Sequence, residues 1–360
     1  MDRIRVGIIG QGRSGHDIHA RTLVELLADR YQVVAVADPR PGQLQSDILG
    51  DDCAFLQNHR ELFRRRDIDL VVNAAPSHLH VPLSIEAIEA GFNVLCEKPL
   101  ARTVADVDRL LEAAEGKGRT LAIFQQSRFG PYFLQARSVV ESGVLGRIVL
   151  VKIAFSGFAR RWDWQTLQEY DGGSLRNTGP HPLDQALQLF GTDVMPKVAC
   201  VMDRATTFGD ADDVVKLILS GPGRPTIDVE ICSCSAYNPY TYQINGTHWS
   251  LAGTMEHLDW KYFKPEEAPR QALTVEPIPG RTWCSEELKW HTGSWDMPKV
   301  GPGLYATMAR DFYLNLYEAL TEGKPLAVPP RHVRQQIAVM EEAYRQNPLP
   351  RAPARILMGS

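Results

Sequence analysis

The residues best suited by type and spacing to do chemistry stand at the start of the chain. Gly10-Gln11-Gly12-Arg13-Ser14-Gly15 follows a short apolar run, Ile4 to Ile9, and precedes Ile18, Leu23, Leu26 and Leu27 at helical spacing. That order is strand, glycine turn, helix. In such a turn Gly10 makes the tight bend, Gly12 lets a pyrophosphate approach the backbone, and Gly15 lets the helix pack closely on the strand. The helix N-terminus then offers its free amides to phosphate oxygens. A second apolar run, Val33 to Ala37, ends at Asp38. A carboxylate there accepts hydrogen bonds from an adenosine ribose and repels a 2′-phosphate, so the pattern reads as a dinucleotide site that favours NAD over NADP. Arg40 is open to other readings: a partner for a 2′-phosphate, or a solvated loop charge or a stack on adenine.

Elements must hold that turn in place, and the same alternation continues beyond it. Strands are expected at Asp69 to Ala74, Asn93 to Cys96 and Thr120 to Phe124, with helices at Val81 to Ala90 and Val104 to Glu115. Gly91 is placed as a helix stop, and Thr103 with Asp106 as an N-cap and first-turn carboxylate. Alternating strands and helices imply a parallel sheet with its ligand at the carboxyl ends of the strands.

Further motifs follow. Ala75-Pro76-Ser77-His78-Leu79-His80 and Cys96-Glu97-Lys98-Pro99-Leu100 each close a strand of this series. Later come Arg128-Phe129-Gly130-Pro131, Ser142-Gly143-Val144-Leu145-Gly146, Phe312-Tyr313-Leu314-Asn315-Leu316-Tyr317 and Gly323-Lys324-Pro325-Leu326. With these the chain resembles the Gfo/Idh/MocA oxidoreductases over nearly its whole length. The resemblance implies an α/β protein, with an N-terminal Rossmann parallel sheet and a C-terminal α/β domain carrying a large open, mainly antiparallel sheet. It divides the chain at 1–125 for NAD, 126–330 for substrate and oligomer contacts, and 331–360 for a last helix and tail. It implies hydride transfer between nicotinamide and a hydroxyl carbon of a sugar, glycoside or cyclitol. A homo-oligomer, dimer or tetramer, joined through the second sheet is also implied. Strand candidates for that sheet lie at Arg147 to Phe155, Val198 to Arg204, Val214 to Ser220, Thr226 to Ser233 and Tyr240 to Asn245.

The resemblance also implies roles for individual residues. Lys98 is to point at the reacting oxygen, where burial beside a cationic nicotinamide lowers its pKa and lets it share the hydroxyl proton. A cis junction in Glu97-Lys98-Pro99 is implied with it. Cofactor contacts are implied for Gly10, Gly12, Arg13, Ser14, Gly15, Asp38, Arg40, Ala75, Pro76, Ser77, His80, Glu97, Lys98 and Gln126. The stretch from Gly172 to Asp184 resembles the family's glycine pair followed by DxGxHxxD, with Asn177 in place of the first Asp. Asn177 and His181 are four apart, so on one helix they face the same side and reach one substrate. An Asn can orient His181 or bond a substrate hydroxyl, but it cannot store a proton. His181 then works with Lys98 alone, or Asp184 partly substitutes; the better reading of Asp184 is that it caps or ties down its helix. Arg128, Trp162, Asp163 and Trp164 are expected to contact substrate beside Lys98, Asn177 and His181, with Trp283, His291 and Trp295 as further candidates in a loop region.

Composition narrows the classes of partner. A formal charge of -4, with 44% hydrophobic and 23% charged residues, disfavours nucleic acid and anionic membrane as partners. The six cysteines are scattered, without paired CxxC elements or nearby His, so reduced thiols and no metal are expected. No apolar run approaches the roughly 18 residues of a membrane helix, and the chain enters a strand without a leader pattern, so a cytoplasmic location is expected. The stretch from Pro348 reads as a tail. Two other activities stay open: a redox-neutral enzyme of this fold that uses held NAD transiently to cleave glycosides, and a non-catalytic dinucleotide or sugar sensor.

Overall fold

The computed structural model describes residues 3–278, 283–299 and 301–351. Short apolar runs build the first sheet from β1 (Ile4–Ile9), β2 (Tyr31–Ala37), β3 (Ala54–Leu56), β4 (Leu70–Asn73), β5 (Asn93–Cys96) and β6 (Leu121–Ile123). Its order is β3-β2-β1-β4-β5-β6 and every pair is parallel. Strands such as Leu70–Asn73 are buried at each position, as expected where helices cover both faces. The order reverses beside β1, so the carboxyl ends of β1 and β4 frame a crevice. The expected strands and helices between 69 and 124 agree with the structure to within two residues. Thr103 accepts from the Asp106 amide and opens helix Val104–Lys117, and Gly91 adopts φ +96° after helix His80–Glu89. The first helix differs. Ser14–Ala20 and Thr22–Leu26 wind with wider π geometry, and the buried residues Gly15, His19, Leu23 and Leu27 recur every fourth position, which suits a coil of more than 3.6 residues per turn.

The second sheet contains β7 (Ile148–Ala154), β8 (Lys197–Asp203), β9 (Val214–Ser220), β10 (Thr226–Cys232), β11 (Tyr242–Gly246), β12 (Trp249–Gly253), β13 (His257–Phe263) and β14 (Trp290–Asp296). Its order is β14-β13-β12-β11-β7-β10-β9-β8; β7 and β10 are parallel and all other neighbours antiparallel. Helices Pro131–Glu141 and Pro180–Phe190 pack on one face, and β9 and β10 alternate buried and half-buried residues accordingly. Strands β12, β13 and β14 were not expected from the sequence. They carry polar outward residues, and β14 at the sheet edge buries none of its seven. His291 and Trp295 therefore stand on an edge strand instead of a loop, with His291 paired to Glu267 at 2.8 Å and stacked on Tyr262. Trp283 is 92% exposed.

Helix Leu304–Glu322 returns to the first sheet. Tyr31 Oη donates to the Tyr313 carbonyl at 2.8 Å, and Tyr313 Oη meets His19 Nδ1 at 2.7 Å. Helix Pro330–Gln346 touches both sheets' layers, pairing Arg334 with Asp108 and bonding the Cys200 amide through Gln346. Among the described residues no helix is long and apolar enough to cross a membrane, and no three His, Cys, Asp or Glu side chains gather as metal ligands. Most of the expected tail lies outside the described residues.

Candidate active site

β1 delivers Gly10 at φ +90°, where a Cβ would stand 2.5 Å from the Ala74 carbonyl oxygen. A Cβ on Gly15 would stand 1.8 Å from the Gly10 oxygen. At Gly12 the same atom would meet only Arg40 Nη2, at 3.8 Å. The turn is thus packed shut on its inner side, against the strand and the Ala75-Pro76-Ser77 loop, and open on its outer side at Gly12, Arg13 and Ser14. That shape fits a dinucleotide pyrophosphate. Gln11 fits it too: the residue is 3% exposed, yet neither polar atom of its side chain has a partner among the described residues, and buried amides ordinarily have one.

Asp38, at the end of β2, is 1% exposed. It accepts from the Gln11 amide at 2.9 Å and from Arg40 Nε and Nη2 at 2.8 and 2.7 Å. Burial pushes its carboxyl up, but these donors outweigh burial and hold it below the ordinary value. The Arg40 guanidinium covers the oxygens a ribose would use. Its side chain is 62% exposed.

Two expected cofactor contacts do other work. His80 is buried with its ring nitrogens against the carbonyls of Pro99 at 2.7 Å and Ala75 at 2.9 Å, so it ties the Lys98 loop to the loop after β4. Glu97 points inward, accepting from the Lys98 amide at 3.0 Å and lying 3.3 Å from His19 Nε2. Burial acts to raise this carboxyl, but the His19 ring and the Lys98 ammonium hold it at about 2. His19 had no signal in the sequence beyond its place on the buried line of the first helix. Gln126, just past β6, has its Oε1 buried without a partner among the described residues.

The Lys98–Pro99 peptide is cis. Lys98 Nζ donates to the carbonyl oxygen of Asn177 at 2.9 Å and to its Oδ1 at 3.3 Å. Burial pushes the lysine's pKa down; Glu97 opposes this, and the charges of Arg13 and Arg161 reinforce it. His181 Nδ1 instead faces Ser127 Oγ at 3.2 Å. Burial, with the Lys98 charge beside it, pushes His181 down to about 3, so its ring is neutral across the ordinary pH range. The pairing of Asn177 with His181 expected from their spacing is therefore replaced by Asn177 with Lys98 and His181 with Ser127. The reason is a break in the helix. Asn177 closes Ser174–Asn177, and His181 belongs to Pro180–Phe190. Pro180 has no amide to carry the ladder through, and Gly179 allows a close pass: a Cβ there would stand 2.1 Å from the Leu175 oxygen. Ser127, adjacent to the Arg128 motif, carried no signal of its own.

Arg128 also departs from expectation. Its buried guanidinium forms a two-pronged pair with Asp184 and donates to the Ala327 carbonyl at 2.7 Å, so both residues fasten helices together and neither is left for substrate. Beside Lys98 opens a cavity of about 470 Å³, walled by β7, β10 and the segments that carry Arg161, Gln165, Ser174, Asn177 and Asp212. Asn177 is the expected substrate contact that lines it. Trp162 is 79% exposed with its edge on Phe208, and Asp163 pairs outside the cavity with Arg161 at 2.5 Å. Trp164 stands on the same turn, half-buried. The wall here is made by their neighbours Arg161 and Gln165.

Two family models match this chain, an oxidoreductase family with an NAD-binding Rossmann fold at residues 4–125 and the GFO/IDH/MocA C-terminal domain at 133–252. An uncharacterised oxidoreductase of Schizosaccharomyces pombe is 26% identical over 96% of this chain and 97% of its own length. The NADP(+) scyllo-inositol 2-dehydrogenase of Bacillus subtilis is 30% identical over 55% of this chain and 54% of its own. The WlbA dehydrogenase of Bordetella pertussis, solved with NADH and UDP-GlcNAcA, shares the fold with a TM-score of 0.74 at 21% identity, over 96% of this chain and 95% of that one. A glycine cradle, a cis Lys-Pro after the fifth strand and a mixed eight-stranded second sheet agree with those matches, and the chain belongs to the Gfo/Idh/MocA family of NAD-binding oxidoreductases.

Proposed function

We propose that the protein is an NAD-dependent dehydrogenase of a sugar, glycoside or cyclitol, in which Lys98 exchanges the hydroxyl proton. The observation that carries this reading is the position of Lys98 Nζ: buried, held by two oxygens of Asn177, which lines the cavity, and near enough to Arg13 of the glycine turn to feel its charge. A bound nicotinamide would accept or return the hydride. The chain's own residues handle the proton and the orientation. In oxidation the hydroxyl proton goes to the neutral Nζ of Lys98; in reduction the ammonium returns it. Its lowered pKa increases the neutral fraction available at physiological pH. His181, fixed through Nδ1 by Ser127, has a second ring nitrogen with no partner among the described residues, and the neutral ring can bond a substrate hydroxyl there. Asp38 supports NAD over NADP, because a 2′-phosphate would meet its buried carboxylate.

Incubation with NAD and a panel of monosaccharides, glycosides and cyclitols, followed by NADH absorbance, tests this. Stoichiometric NADH is expected with at least one of them. Turnover of a glycoside without NADH release would replace the net dehydrogenase by a redox-neutral cycle. Tighter binding of NADPH than NADH would reverse the cofactor assignment and make Arg40 a 2′-phosphate ligand.

A further inference from the structure

Where Lys98 Nζ points depends on Asn177, so whatever fixes Asn177 bears on the lysine. Asn177 closes Ser174–Asn177, a single helical turn. One turn has too few internal bonds to hold itself, and its first amides find no partner within it. Gly173 stands at the cap position without a side chain to supply one. Both amides are met instead by Asp212, 37 positions beyond Leu175: the Ser174 amide donates to its carbonyl oxygen at 2.7 Å, and the Leu175 amide to its Oδ2 at 2.8 Å.

Asp212 is itself fixed. It is 2% exposed, and its Oδ1 accepts from Tyr344 Oη at 2.7 Å. Tyr344 lies on helix Pro330–Gln346, and its ring carries the Arg176 guanidinium at 4.1 Å, so one tyrosine touches both the cap and the turn. Gly173 passes the carboxylate at φ +112°, where a Cβ would stand 2.3 Å from Asp212 Oδ1. At the far end of the turn the Asn177 carbonyl accepts from Lys98 Nζ. The turn therefore hangs between a carboxyl group at its amide end and an amine at its carbonyl end. The neighbouring Asp213 does separate work, accepting from the amides of Ala205, Thr206 and Thr207 at 2.6 to 2.7 Å.

We infer that Asp212 is a positioning residue for Lys98: by holding the first amides of the turn it fixes Asn177, and through the two Asn177 oxygens it fixes the direction of Nζ. This inference rests on the dehydrogenase reading for what the lysine does, though not for how it is held.

NMR on the full chain, isotope-labelled at lysine Cε and with NADH present, follows the protonation midpoint of Lys98 without turnover, and Lys98→Met identifies the signal. The charges that act on Lys98 are those of Glu97, Arg13 and Arg161, so a shift on changing Asp212 reports the two Asn177 acceptors. In Asp212→Ala the ammonium loses those acceptors while still buried, and its midpoint should fall by about half a pH unit or more. Asp212→Asn keeps an oxygen for the Leu175 amide and should recover most of that fall. Tyr344→Phe leaves the capping bonds but loosens Asp212; it should give a smaller fall and keeps the test open if Asp212→Ala does not fold. A cap that served stability alone would lower the Tm of these variants and leave the midpoint in place, and that result overturns the inference. With a sugar that the wild-type chain oxidises, Asp212→Ala should lower kcat about ten- to a hundredfold with KM little changed, because a displaced amine costs the chemical step. A shifted midpoint in a chain that transfers hydride to no ligand would overturn the dehydrogenase reading and support this one; hydride transfer and a midpoint both unaltered in Asp212→Ala would do the reverse.

Discussion

The glycine cradle and the cavity near Asn177 are specified differently. The cradle is made of backbone: three glycines within six residues, two of them demanded because a Cβ there would stand 1.8 or 2.5 Å from a main-chain oxygen. The cavity and the groups beside it are side chains gathered from distant segments: Lys98 bonds the cavity-lining Asn177 across 79 residues, and Ser127 bonds His181 across 54. A motif can encode the first almost alone. The second depends on which way each chain segment turns on arrival, and one broken helix exchanges the partners.

That contrast can be pressed hardest at Lys98, where side-chain chemistry is concentrated. Lys98→Met removes the proton carrier at similar volume, and single-turnover hydride transfer should fall about 10²–10⁴-fold, with NADH affinity little altered; near-native transfer would place the proton elsewhere. The backbone side is sharpened by two glycines. Gly15→Ala forces a Cβ against the Gly10 carbonyl and should lower stability by about 2–4 kcal/mol, seen as a drop in the Tm of the free protein. Gly12→Ala meets no such obstacle, so the same melting curve should be unchanged while NADH affinity falls about tenfold or more. Equal melting losses in both would mean that the outer side of the turn is not open for a ligand.

Asn177→Asp gives a smaller effect with a definite sign. A carboxylate beside the Lys98 ammonium raises the lysine's pKa, and oxidation needs the neutral amine, so the acidic limb of the rate profile should move up by about one pH unit. A limb that stays in place would show that Lys98 is not the group titrating. The smallest effect concerns stability. His181 is held at about 3, below the ordinary histidine value of about 6.5, so the unfolded chain takes up its proton first as pH falls. Stability should drop between about pH 6.5 and 3, by at most about 1.4 kcal/mol per pH unit for this one group. Glu97, at about 2, adds a further loss of the same sign at the acid end. In His181→Gln the melting temperature should decline less steeply from pH 6.5 to 5, and an unchanged slope would mean the ring is protonated in the fold.

The legible parts of the molecule are those where one local rule decides. Leu70–Asn73 and Asn93–Cys96 read as strands because both faces are buried, and Thr103 read as a cap because its hydroxyl had an amide three residues on. β14 did not, since Trp-His-Thr-Gly-Ser-Trp-Asp on a sheet edge has neither an apolar run nor a buried face. Lys98 and the cis bond after it were legible from a motif. The partners of His181 were not, because four-residue spacing implies a shared face only if the helix is continuous. Arg128 looked like a polar site residue and Asp184 like a tie for its helix; that the two tie to each other depends on a contact across 56 positions that no local pattern displays.

The contact between His19 and Tyr313 spans 294 positions and lies beneath Glu97 and the loop that holds Lys98. A ribosome therefore releases the glycine cradle long before the helix that completes its floor. Until Leu304–Glu322 emerges, His19 lacks the tyrosine hydroxyl that holds its Nδ1, and the lysine loop above it lacks that support. Assembly of the lysine loop thus waits for Leu304–Glu322.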